Sequence, residues 1–179
     1  MDSDLRQLYE KDKQSKTIAI TSTVIILLLL ITVIILLTLL SPMNVVGESM
    51  LPSIKDGEHV LLLKRCYQIE RYDVIVFKRP DSEHPPIKRV IGMGGENIRF
   101  SGNTWYIDGE PLRDDYTKEY PYDYLYDSEV GAQLASDEGL TVGEDELFVL
   151  GDNRSVSYDS HKYGCIKSDW VVGKVIKVY

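Results

Sequence analysis

Three short segments of this 179-residue chain carry side chains that could act on a substrate: GESMLPSI (47–54), IKRVIGMGGE (87–96) and LGDNRSVSYDSHKYG (150–164). Ser49 lies between Gly47 and Pro52, in a turn-forming stretch that can present a hydroxyl. A serine becomes a nucleophile only with a base beside it. The histidines on offer are His59, His84 and His161, none in a recognisable triad motif, although chain order alone does not exclude a triad. The other candidate is a lysine kept neutral by burial or by a cationic neighbour. Lys88 stands in an apolar run beside Arg89; strand alternation places it on the face of Val90, with Arg89 opposite. Each residue also has an ordinary reading, Ser49 as a loop hydroxyl and Lys88 as a solvated lysine at a sheet edge. No HExxH, CxxC or phosphate loop is present, so neither a metal nor a nucleotide cofactor is expected.

The elements that must position these residues read as β structure. Short apolar runs at 58–64, 73–78, 87–92, 97–100, 104–108, 146–150 and 170–179 are bounded by DG, RP, PP, GG, SGN and a second DG. No stretch sustains a helical period, so the pattern predicts an all-β sandwich or barrel. Residues 113–142 differ: they are rich in tyrosine and acidic residues, and suit a surface excursion or, alternatively, a recognition surface.

Ahead of this domain, residues 17–40 hold 18 apolar residues out of 24, and no charge occurs between Thr17 and Gly47. Such a helix rises about 36 Å, enough to span a hydrocarbon core of about 30 Å. The five threonines and one serine in it can bond back to helix carbonyls. The run is too long for a cleavable secretory signal, and Leu39 to Met43 offer a poor cleavage site. Arg6, Lys11, Lys13 and Lys16 precede it and only Lys55 occurs in the twenty residues after it, so the positive-inside rule puts the N-terminus in the cytoplasm and residues 41–179 outside. The net charge of −8, with both signs interspersed, argues against a nucleic-acid partner. Cys66 and Cys165 make no disulfide framework and are expected as free thiols.

Taken together, the anchor, the SM-x-P box, the KRVIG box and the GDNR-x-x-S-x-DS box resemble the bacterial type I signal peptidases, membrane-bound Ser/Lys proteases, in their Gram-positive form. The resemblance implies an antiparallel-sheet catalytic domain with a small inserted lobe: a cytoplasmic N-terminus at 1–16, the anchor at 17–40, a core of about 41–100 and 143–179, and a lobe of about 101–142. It makes Ser49 the nucleophile and Lys88 the general base. Met50 and Pro52 then shape the site, Ser157 holds the lysine amine, Asp152 pairs with Arg89, and Asp159 supports the base. Gly47 stands where some members carry an oxyanion-hole hydroxyl, which leaves the Ser49 N–H with less help. The implied partners are preproteins at the lipid bilayer, cut after small residues at −1 and −3. Two departures stand out: Gly94, Gly95 and Glu96 where the family has Pro-Gly-Asp, and His161 where it has Arg, which weakens the expected partner of Asp159. An inactive assembly factor on the same scaffold and a self-cleaving Ser/Lys regulator are the other readings; the dyad residues argue against the first and the anchor against the second.

Overall fold

A computed structural model describes residues 2–113, 125 and 128–179. The chain divides into two compact units, Met1–Leu40 and Ser41–Tyr179. The first is helix α1 (Asp2–Leu39), whose span Arg6–Leu39 is long and apolar enough to cross a membrane. From Arg6 to Thr38 its apolar side chains are exposed, as expected of a helix that could face lipid. Every hydroxyl in the apolar stretch is satisfied within the helix: Thr17, Thr21, Ser22, Thr23, Thr32 and Thr38 each donate to a carbonyl three or four residues earlier.

Among the described residues, the second unit is built from two antiparallel sheets. The larger contains β1 (Leu40–Asn44), β2 (His59–Leu63), β3 (Val74–Phe77), β4 (Ile87–Gly92), β9 (Glu146–Leu150), β10 (Ile166–Lys167) and β11 (Val171–Val178), in the order β1-β2-β11-β3-β4-β9-β10. The smaller, ordered β7-β6-β5-β8, contains β5 (Asn97–Ser101), β6 (Thr104–Ile107), β7 (Glu110–Pro111) and β8 (Leu140–Thr141). Two short helices, α2 (Glu129–Leu134) and α3 (Ser160–Tyr163), escape a search for helical period because neither completes two turns. The tyrosines between 116 and 126 lie outside the described residues.

Tight turns set the small sheet. Gly102 and Asn103 both have positive φ (56° and 66°), as do Asp108 and Gly109 (51° and 83°), the pattern of type I′ hairpin turns. These turns fix the registers Ser101↔Thr104 and Ile107↔Glu110. The small sheet is not a detached lobe. Ile98, Trp105 and Ile107 share one apolar cluster with Ile91, Phe148 and Leu150 of the larger sheet. The chain crosses from β4 to β5 through Gly94-Gly95-Glu96. A Cβ at Gly94 would lie 2.2 Å from the Glu144 carbonyl oxygen, and Gly95 has φ +84°, so this turn needs small, flexible residues. The Glu96 carboxylate accepts from the Met93 N–H at 2.7 Å and pairs with Arg71. The departure from Pro-Gly-Asp is thus absorbed locally.

Strand β4 carries the two cations of the KRVIG box. All six of its residues are buried, Lys88 and Arg89 among them. A strand covered on both faces normally reads as continuous aliphatic sequence. Two adjacent cations in such a place must each be paired or neutralised.

Candidate active site

Lys88 pairs in register with Ile75 of β3, and Arg89 with Val74, so the two side chains leave β4 on opposite faces. On one face, Nζ of Lys88 lies 2.7 Å from Oγ of Ser49. On the other, Arg89 makes a two-pronged, buried ion pair with Asp152: Nε to Oδ1 at 2.8 Å and Nη2 to Oδ2 at 2.6 Å. Arg89 also donates to the Tyr72 carbonyl at 2.8 Å. Arg89 has therefore satisfied its charge. Lys88, 5% exposed, has no carboxylate in hydrogen-bond contact among the described residues. Burial pushes the Lys88 amine below its ordinary range; the negative charges of Asp159 and Asp152 oppose that shift, and the Arg79 charge adds to it.

The loop after β1 holds Ser49. Met50 is fully buried in an apolar cluster with Val45, Ile54, Val60, Leu62, Val76 and Ile87, and it anchors the residue next to the serine. The Ile54 N–H donates to the Met50 carbonyl at 2.9 Å, and the Leu51–Pro52 bond inside this turn is cis. Gly47 has φ +96°, with its N–H bonded to Asp56 at 2.7 Å; open space lies where a Cβ would be, but that backbone conformation disfavours any other residue. The Ser49 carbonyl accepts from the Asn153 N–H at 3.0 Å, and the Asn153 amide donates to the Glu48 carbonyl at 3.1 Å. A Cβ on Gly151 would lie 2.5 Å from the Ser49 carbonyl oxygen and 2.2 Å from Ser157 Oγ. The glycine of the third box is therefore what lets that segment approach the serine.

Asp159 and Ser160 act as substitutes for a neighbouring strand. The β9–β10 ladder stops at Leu147, and beyond it the Val149 N–H donates to Ser160 Oγ at 3.0 Å while the Gly151 N–H donates to Asp159 Oδ2 at 2.8 Å. The other oxygen of Asp159 lies 2.6 Å from His161 Nδ1. Burial alone would push the Asp159 carboxyl up, but the bonds from His161 and Gly151 outweigh it and hold the group below the usual carboxylate range. His161 thus supplies Asp159 with a close, buried partner, which the sequence alone left weak. Ser157 is buried and its hydroxyl helps hold the Asp159 carboxyl down, but no hydrogen bond joins its Oγ to the lysine amine in this arrangement.

A cavity of about 350 Å³ opens over the Ser49–Lys88 pair, lined also by Val46, Ser82, His84, Pro85 and Pro86. The contribution of the β3–β4 loop, residues 78–86, has no signature in the sequence, although His84 stands there; nor do the roles of Gly151 and Asn153. Cys66 and Cys165 are both free, and burial pushes the Cys165 thiol up to about 12.

This arrangement is a buried amine against a loop hydroxyl, on a curled antiparallel sheet with a cleft above it. The model of one family, described as signal peptidase, peptidase S26, matches residues 17–179. A signal peptidase I from Bacillus caldolyticus is 34% identical over 145 residues, covering 78% of this chain and 79% of that protein. A signal peptidase IB from Staphylococcus aureus (strain Mu50) is 34% identical over 146 residues, 76% of each chain. The crystal structure of a signal peptidase I from Enterococcus faecalis V583 superposes with a TM-score of 0.50 at 32% identity, covering 63% of this chain and all of that one. The chain belongs to the signal peptidase family, peptidase S26. It is a serine peptidase of the bacterial type I group, the enzymes of signal-peptide processing.

Proposed function

We propose that the protein removes signal peptides from exported preproteins with Ser49 as nucleophile and Lys88 as general base, cleaving after small residues at −1 and −3. The observation that carries this reading is the 2.7 Å separation of Lys88 Nζ and Ser49 Oγ, with the amine buried and its protonation disfavoured. The neutral amine takes the Ser49 proton as Oγ attacks the scissile carbonyl, then delivers it to the leaving amine. A water deprotonated by Lys88 hydrolyses the acyl-enzyme. The Ser49 N–H is one donor to the developing oxyanion, and losing such a donor typically costs about 2.7–4 kcal/mol in the transition state. The α1 helix tethers the chain, with its N-terminus in the cytoplasm and residues 41–179 on the outer face, where preproteins emerge from the bilayer. The net negative charge, with both signs interspersed, supports a protein substrate over a nucleic acid.

The test is cleavage of a preprotein carrying an Ala-x-Ala site. Ser49→Ala and Lys88→Ala should each abolish processing and leave the circular dichroism spectrum and melting temperature close to wild type. Activity in Lys88→Ala at the wild-type level would return the role of base to a histidine. Because the base must be neutral, kcat/KM should rise with pH through the lowered pKa of Lys88 and level off above it; a profile flat from about pH 5 to 9 would contradict a lysine base.

A further inference from the structure

The β3–β4 loop forms one wall of the cleft through Ser82, His84, Pro85 and Pro86. At its base it is tied by the Phe77 N–H to the Pro86 carbonyl at 3.1 Å, and by the Lys78 N–H to the Trp170 carbonyl at 2.9 Å. Beyond those bonds, Arg79 packs the loop against the rest of the domain. Its Nε and Nη2 fork onto the two oxygens of Asp81. Its guanidinium carbon lies 4.0 Å from the ring centre of Tyr163 and 5.1 Å from that of Tyr158. Those rings pack together at 5.5 Å and bracket the segment carrying Asp159 and His161. The Arg79 side chain is only 10% exposed although the loop is at the surface. Burial pushes the Tyr163 phenol above its ordinary range, so the ring meets the cation as a neutral π face and not as a phenolate.

The same guanidinium bears on the base. The charged groups acting on Lys88 are Asp159, Asp152 and Arg79. The two carboxylates are already bonded to His161 and Arg89, and both favour the ammonium form; Arg79 is the cation that opposes them. We propose that Arg79 is a positioning residue of the reaction: seated on Tyr163 and Tyr158 and forked onto Asp81, it fixes the 78–86 wall of the cleft that Lys88 and Ser49 also line. This rests on the serine–lysine reading above.

Arg79→Gln removes the charge and the fork. Arg79→Lys keeps the charge but loses the flat stacking and the two-pronged bond. Both are compared with wild type as the full chain in detergent, on a soluble peptide with an Ala-x-Ala site, by kcat and KM across pH. In Arg79→Gln KM should rise about threefold or more while kcat stays within about twofold of wild type. In Arg79→Lys, which keeps the cation near the rings, KM should rise less. A residue that merely stabilised the fold would leave KM unmoved in the folded variant, so an unchanged KM in Arg79→Gln overturns the proposal. Should Arg79→Gln fail to fold, an unchanged KM in Arg79→Lys overturns it instead. Cleavage surviving in Ser49→Ala would overturn the dyad reading, and this proposal with it; Ser49-dependent cleavage insensitive to Arg79 overturns this proposal alone.

Discussion

In the proposed mechanism Lys88 must be neutral to accept a proton, and its burial favours that form at the expense of the folded state. The unfolded chain binds a proton on this lysine more readily than the folded one, because the folded pKa is depressed. Stability therefore rises with pH between the folded and the unfolded pKa, and the penalty is full below the folded value. Lys88→Met should abolish cleavage, melt no lower than wild type at pH 7, and flatten the pH dependence of the melting temperature on the alkaline side. A melting temperature clearly below wild type would mean that the amine contributes net stabilising contacts. Arg89, one residue along, has the opposite fate: its fork onto Asp152 makes it a buried cross-link between β4 and the third box.

Glycines show how the elements meet. Gly102 has φ +56° with open space beside it, so Gly102→Ala should cost about 1 kcal/mol through backbone strain and leave kcat unchanged. Gly151 has an ordinary φ, but its missing Cβ admits the Ser49 carbonyl and Ser157 Oγ. Gly151→Ala must therefore push the segment after β9 away from the serine, and kcat should fall by about a hundredfold. Urea titration and initial rates on the same pair of variants separate strain from misplacement; equal losses of kcat would refute the distinction. The turn glycine is recognisable in the sequence as part of SGN, because a two-residue hairpin demands positive φ. The role of Gly151 is not recognisable there, because it depends on a strand-end segment meeting a loop about a hundred residues earlier in the chain.

At the scale of the molecule, the two units differ in where their apolar surface lies. Residues 41–179 form one compact body with its own apolar clusters, whereas α1 exposes its apolar surface along its length. A chain beginning at Ser41 should stay folded and monodisperse without detergent. On a short soluble peptide its kcat/KM should stay within about twofold of the full chain, whereas on a membrane-inserted preprotein it should fall by about tenfold or more, since tethering raises the local concentration of enzyme at the bilayer. Equal loss on both substrates would show that the α1–β1 junction supports the site itself, since β1 begins at Leu40.

The local pattern determined the apolar helix, the main strands and the hairpin turns, because each depends on neighbours within a few residues: an unbroken apolar run, period-two alternation, and backbone angles that Gly, Asn and Asp tolerate. It also set the opposite directions of Lys88 and Arg89, which follow from the pleat alone. The motifs added which residues to watch. The tertiary structure decided which of them meet. Ser49 and Lys88 are 39 residues apart in the chain and join only when the loop after β1 packs Met50 under β4. His161 became the partner of Asp159 because both are sealed beneath the end of β9. Ser157 lies beside Asp159 without bonding to the lysine amine, Pro42 masks β1 as a strand, and β8, β10, α2 and α3 are too brief to leave a period. These outcomes depend on long-range packing and on the cost of burying unpaired polar groups, neither of which is encoded in any window of a few residues.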